Sequence, residues 1–239
     1  MIGWRARLGF LIPPGNPTVE PEVFTMAPRG VSVHFSRMIS RGETGNPLGM
    51  QARVQSTLDN IDLPAEMLAL VCPDVIVMAL TVSSYLLGRD GEESLKQRLE
   101  RKTGIRFTSA FASVVAALNA LRVRRIAIAT PYSEDITSKC KCALEAHEFE
   151  IVNSCHLEGV KHIYSETSER AYALACAADT PDAEAIFLPG TGFPTIDVLN
   201  VLERDLGKPV ISSTSAMMWN ALSIAGVCPC IPGYGQLLT

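Results

Sequence analysis

Short apolar runs alternate with helical stretches along the whole chain, and this rhythm restricts the fold more than any other feature. The runs lie near 7–12, 31–36, 74–79, 105–108, 124–129, 149–153, 184–188 and 209–211. Helical patterns fall near 48–70, 91–102, 110–121, 134–146, 166–179, 195–206 and 214–225. Strands that alternate with helices build βαβ units and hence an α/β fold with mainly parallel sheets flanked by helices. Several helix ends are marked. Thr195 precedes Ile196, Leu199, Leu202 and Leu206 on one face, with Gly207 and Pro209 as stops. Asp90 with Glu93 forms a weak capping box, and Ser133 precedes Glu134 and Asp135. The stretch from Ala110 to Leu121 is apolar nearly all round and is expected between layers.

The two halves follow the same order of elements. Leu8–Ile12 leads to Pro13 and Asn16, as Ile126–Thr130 leads to Pro131 and Tyr132. Val75–Ala79 leads to Thr81, as Ala185–Leu188 leads to Gly190 and Thr191. Two similar lobes related by a pseudo-two-fold axis follow, 1–108 plus 212–239 and 109–211. Four loops at the carboxyl ends of strands then converge on one cleft, the edge where open α/β sheets bind ligands.

Bulk properties remove several classes of function. With 239 residues, 47% of them hydrophobic, the chain can bury a substantial core. At a formal net charge of −4 with scattered basic residues, nothing suggests a nucleic-acid partner. No apolar run approaches the roughly 18 residues that span a bilayer, and the N-terminal residues lack a signal-peptide pattern. A cytoplasmic protein without a membrane partner is the expectation. Seven cysteines, an odd number in a chain of this size, argue against a disulfide framework. Cys140 with Cys142, Cys228 with Cys230, and His156 with His162 lack a complementary ligand pair, so no metal site is expected.

Three segments carry a family likeness: Leu11-Ile12-Pro13-Pro14-Gly15-Asn16-Pro17-Thr18-Val19-Glu20-Pro21-Glu22, then Thr81-Val82-Ser83-Ser84, then Gly190-Thr191-Gly192-Phe193-Pro194-Thr195. Together they resemble the aspartate/glutamate racemase superfamily, in its maleate cis-trans isomerase and arylmalonate decarboxylase branch. Gly233-Tyr234-Gly235-Gln236-Leu237-Leu238 resembles the decarboxylases. The resemblance implies the same two-lobed architecture over nearly the whole chain, no cofactor, and a small carboxylate as substrate. It also implies that a homo-oligomer is possible. Isomerases and racemases of that superfamily use two facing cysteines. The matching positions here are Leu80 and Gly190. In the decarboxylase branch only the second thiol is kept, and it protonates the carbanion left after CO2 departs. Neither leucine nor glycine can do this. Val82 likewise replaces a serine of the decarboxylases.

The remaining candidates are polar. Asn16 lies in a rigid Pro-Pro-Gly-Asn-Pro turn and can hold a carboxylate, or simply shape its own turn. Thr81 and its neighbouring N–H groups can cradle an anion, as can Thr191 and Gly192 ahead of the helix opened by Thr195. The alternative for both threonines is a loop or cap hydroxyl. Tyr132 matches a carboxylate-binding tyrosine of the family and can donate a proton; otherwise it is a core aromatic with a wet tip. Ser83, and more weakly Ser84, Ser212 and Ser213, add hydroxyls. Leu80, Val82 and Phe193 are expected to make one wall apolar, which favours loss of a carboxylate's charge as CO2. The space vacated at Gly190 is expected to admit a water. Three functions compete: a thiol-free lyase or isomerase acting on a malonate- or maleate-like acid, a hydrolase opening a small cyclic amide, imide or lactone, and a non-catalytic carboxylate binder. No Gly-x-Ser-x-Gly elbow supports a serine nucleophile.

Overall fold

The computed structural model describes residues 2–42, 47–160 and 162–239. Its elements run β1 (Ala6–Ile12), α1 (Val19–Met26), β2 (Val31–Arg37), α2 (Pro47–Asp59), α3 (Asp62–Ala69), β3 (Val75–Met78), α4 (Thr81–Thr103) and β4 (Arg106–Ser109). They continue with α5 (Ala110–Ala120), β5 (Arg125–Thr130), α6 (Glu134–Glu145), β6 (Glu150–His156), α7 (Ser168–Ala178), β7 (Ala185–Leu188), α8 (Ile196–Leu206), β8 (Val210–Ser212) and α9 (Ser213–Ile224). All strand pairings are parallel, in two sheets ordered β2-β1-β3-β4 and β6-β5-β7-β8. Adding four to each strand of the first sheet reproduces the second, so the halves share one topology. Both inner pairings, β1 with β3 and β5 with β7, bring their following loops to the same sheet edge.

Burial explains why the inner strands read as unbroken apolar runs. β3 and β7 are buried at every position, and helices cover both faces. Leu8, Phe10, Val75 and Val77 share a core with Met217, Met218, Ala221 and Leu222 of α9. Ala216 of the same helix belongs to the core of Phe111, Val114 and Ile128. α9 therefore leaves the second sheet and inserts between the two cores, with α5 alongside it.

Local chemistry moved several boundaries. The stretch expected as one helix over 48–70 is two, α2 and α3. Asn60 Nδ2 turns back to the Ser56 carbonyl at 2.7 Å, and Pro64 sits in the first turn of α3, where no N–H is missed. α1 was not expected, because Pro17 and Pro21 flank its start. Its leading N–H groups are instead accepted by Asn16 Oδ1, from Thr18 at 2.8 Å and Val19 at 3.1 Å. α4 is two helical stretches that meet at Gly88: the first opens at Thr81, which therefore begins a helix and not a loop, and the second carries the helix expected over 91–102. Asp90 is no cap; it lies inside this helix, beyond a break at Gly88 (φ 63°). Ser133 and Thr195 occupy N-cap positions as expected, but neither hydroxyl makes a capping bond. Among the described residues, no helix is long and apolar enough to cross a membrane.

Candidate active site

A cavity of about 890 Å³ opens at the carboxyl ends of the inner strands. Its walls come from Pro13–Asn16 after β1, Leu80 and Val82 after β3, Pro131–Ser133 after β5, and Thr191 with Gly192 after β7. Met50, Arg53 and Val54 of α2, together with His156–Val160 and His162–Tyr164, also line it. Asn16, Leu80, Val82, Tyr132, Thr191 and Gly192 thus meet there. Phe193 does not: it is wholly buried among Leu188, Leu199 and Leu202, so the apolar wall is made by Leu80, Val82, Val54 and Ile136 instead. Ser83 is also corrected, since its hydroxyl donates to the Leu80 carbonyl at 2.6 Å and is buried. Ser84 donates to Glu92 at 2.5 Å, and Ser212 caps α9.

The floor under Leu80 is a helix N-terminus. α4 starts directly after β3, and no side chain caps its first N–H groups. The Thr81 hydroxyl is buried beside the Tyr132 phenol, which it helps to hold, and has no partner within 3.5 Å. A buried, unpaired hydroxyl costs free energy unless something arrives to bond it. Here it stands beside donors that carry the positive end of the helix dipole.

The corresponding turn in the other lobe is already occupied. Gly190 N–H donates to Ser213 Oγ at 3.1 Å, and Phe193 N–H closes a turn on the Gly190 carbonyl at 3.2 Å. Thr191 Oγ1 donates to the Ala79 carbonyl at 2.9 Å and accepts from Asn16 Nδ2 at 3.4 Å. Thr18 Oγ1 reaches the Gly192 carbonyl at 3.1 Å. These bonds sew the lobes together at the cavity floor. The N-terminus of α8 is closed by Glu22 of α1, whose Oε1 accepts from Thr195 N at 2.7 Å and Ile196 N at 3.2 Å. Burial pushes the Glu22 carboxyl up to about 7 against the pull of those donors. The Thr214 hydroxyl faces the carboxyl and also pulls against burial, whereas the Thr195 hydroxyl has no partner.

Gly190 has φ +101°, a conformation that suits glycine. A Cβ there would lie 3.0 Å from Tyr132 Oη and 3.1 Å from Ile163 Cδ1. The space at Gly190 is therefore not left for water, as expected from the sequence; a phenol fills it. Burial holds the Tyr132 phenol far above its ordinary pKa, so it stays protonated.

The rim contains residues that the sequence did not mark. Arg37 Nη1 donates to the carbonyls of Pro13, Pro14 and Asn16 at 3.4, 3.0 and 3.2 Å, and its other nitrogen pairs with Glu20. The turn that bears Asn16 is thereby clamped. Tyr164 lies over both lobes' loops: a Cβ on Gly192 would collide with its ring, and one on Gly15 would come within 3.7 Å of it. His156 Nδ1 lies 3.3 Å from Glu134 Oε2. None of the seven cysteines is among the described residues lining the cavity, and Cys140, the buried one, has its thiol pushed up to about 12 by burial. Among the described residues, no three His, Cys, Asp or Glu side chains gather as a metal site.

The same two-lobed fold occurs in maleate isomerase from Pseudomonas putida S16, crystallised with maleate, at 22% identity and a TM-score of 0.88, covering 98% of this chain and 97% of the other. It occurs also in a Nocardia farcinica maleate cis-trans isomerase mutant carrying a covalently bound succinylcysteine intermediate, at 25% identity and a TM-score of 0.86, covering 98% of both. The class is thus a two-lobed α/β enzyme of the lyase and isomerase kind. The family model for arylmalonate decarboxylase matches residues 8–238, and the chain belongs to that family. Arylmalonate decarboxylase of Bordetella bronchiseptica is 30% identical over 202 residues, 80% of each chain. The maleate isomerase of Nocardia farcinica is 26% identical over 250 residues, 97% of this chain and 95% of the other.

Proposed function

We propose that the protein is a cofactor-independent decarboxylase of a small malonate-like acid, with the Tyr132 phenol in the role of the absent thiol. The carrying observation is the 3.0 Å between Tyr132 Oη and the place a side chain on Gly190 would start. The substrate carboxylate that is retained is held by the N-terminus of α4 and the Thr81 hydroxyl. The carboxylate that leaves faces Leu80, Val82 and Ile136, where solvation is poor. Its C–C bond breaks, CO2 departs, and the electron pair passes into an enediolate stabilised by the α4 donors. Tyr132 Oη–H then gives its proton to the α-carbon, and the phenolate recovers a proton from water.

Proton donation alone completes this reaction, and a phenol kept protonated by burial is suited to it. Isomerisation through a succinylcysteine, as in the Nocardia enzyme, requires a thiol that this cavity does not present. A hydrolytic reading draws on one observation, the His156–Glu134 pair at the rim, which would suit activation of water.

The test is incubation with phenylmalonate, maleate and a panel of cyclic imides and lactones, following CO2, fumarate and ring opening. CO2 release that survives cysteine alkylation and falls about 10²- to 10³-fold in Tyr132→Phe is the expected result. Release that alkylation abolishes, or that Tyr132→Phe leaves intact, overturns it. Ring opening without CO2 release selects the hydrolase.

A further inference from the structure

One wall of the cavity carries a charge that decarboxylation leaves without a task. Arg53 of α2 is half-buried and lines the cavity. It is the only lysine or arginine among the described residues that do so. Arg37, nearby, is consumed by three carbonyls and Glu20, whereas Arg53 forms no ion pair among the described residues. Its field reaches the Tyr164 phenol, where it opposes the upward push of burial. Arg53 shares the cavity with this ring, which covers the Gly15 and Gly192 loops. Among the described residues, the carboxylates lining the cavity are Glu134 and Glu158, both after strands of the second sheet; Glu134 meets His156, and Glu158 is exposed. Met50 and Val54, on the same helix as Arg53, add apolar surface to the cavity and belong to the cluster that includes Leu80. At about 890 Å³ the cavity has the size of sites for much larger ligands than a three-carbon diacid.

We infer that Arg53 is a specificity-determining residue that receives an anionic group at the far end of the substrate's side chain. This rests on the reading of the α4 N-terminus as the first carboxylate site. The substrate class is then a malonate-like acid whose side chain ends in a further anion: the retained carboxylate on Thr81 and the α4 donors, an apolar spacer along Met50 and Val54, and the distal anion on the guanidinium. Arginine is suited to the second role because its planar fork can pair bidentately with a carboxylate or phosphate.

Calorimetric titration of the full chain with matched ligands tests this. One series is the α,ω-dicarboxylates from malonate to suberate; the other is their monomethyl esters. Beyond a threshold length, each diacid is expected to bind about tenfold or more tightly than its half-ester. Arg53→Gln should erase that difference and leave the half-esters unchanged, while Arg53→Lys should restore part of it. Equal binding of the two series at every length, or a difference that persists in Arg53→Gln, overturns the inference. Thr81→Val isolates the underlying reading: it should weaken both series alike. If it weakens neither, the α4 site fails while the Arg53 result stands on its own.

Discussion

The loops after β3 and β7 occupy equivalent places in the two lobes, yet they end in opposite states. After β3 the chain turns straight into α4, with its first N–H groups uncapped and the Thr81 hydroxyl unpartnered. After β7 it makes a tight turn at Gly190, and α8 starts only at Ile196, where Glu22 from the other lobe already holds the Thr195 and Ile196 N–H groups. The Thr191 hydroxyl is spent on Ala79 and Asn16. Two halves of one topology thus yield one helix start that no side chain caps and one that a buried carboxylate closes. The lesson is that pseudo-symmetry supplies two helix ends, and one buried carboxylate decides which remains available to a ligand.

Swapping the reactive positions should break this comparison most visibly. Gly190→Cys forces a side chain onto φ +101° and against Tyr132 Oη at 3.0 Å, so a stability loss of about 2–5 kcal/mol in denaturant unfolding is expected, with a displaced phenol. Leu80→Cys, at the matching position in the other lobe, is half-buried in ordinary extended backbone and should cost only about 1 kcal/mol. Equal losses at the two sites would contradict the assigned difference.

The plug itself has a pH signature. The Glu22 carboxyl titrates near 7 in the fold, against an ordinary value of 4.5. Below 4.5 folded and unfolded chains both hold the proton; between the two values only the folded chain does; above 7 neither does. Stability therefore falls as pH rises from 4.5 through 7, by about 3 kcal/mol in all. Glu22→Gln keeps an acceptor for the α8 N–H groups and cannot ionise. It should remove that slope and be about 1–3 kcal/mol more stable than the wild type at pH 8. A variant that retains the slope would assign the titration elsewhere.

The two threonines give the finest contrast. Thr191→Val breaks two hydrogen bonds and should cost about 1–2 kcal/mol without any ligand. Thr81→Val removes a hydroxyl whose neighbour is the Tyr132 phenol but which has no partner within 3.5 Å, so unliganded stability should change by less than about 1 kcal/mol, while stabilisation by added carboxylates weakens about tenfold in affinity. Thermal melts with and without phenylmalonate separate the two effects.

The alternation of apolar runs with helical periodicity placed all eight strands, because strands buried on both faces have to be apolar throughout. The repeated element order announced two lobes, and the Asn16, Tyr132 and Thr191 segments were legible as loop tips at strand ends, with Thr81 at a strand end but in a helix. Prolines hid α1, and the poor helix formers Thr81, Val82, Ser83 and Ser84 hid the start of α4, which their neighbours' hydrogen bonds sustain. Phe193 looked like cavity lining, but its direction is set by the Gly190–Phe193 turn and not by its hydrophobicity.

Periodicity and turn residues are local properties, so the chain by itself determined the strands, the lobes and the absence of a thiol at positions 80 and 190. Only the tertiary structure decided which hydroxyls are spent and which are free, that a phenol from β5's loop fills the hollow at Gly190, and that Glu22 seals a helix more than 170 residues away. Those outcomes depend on distances between groups that no sequence spacing encodes, and buried polar atoms take whichever partner the packed lobes bring within reach.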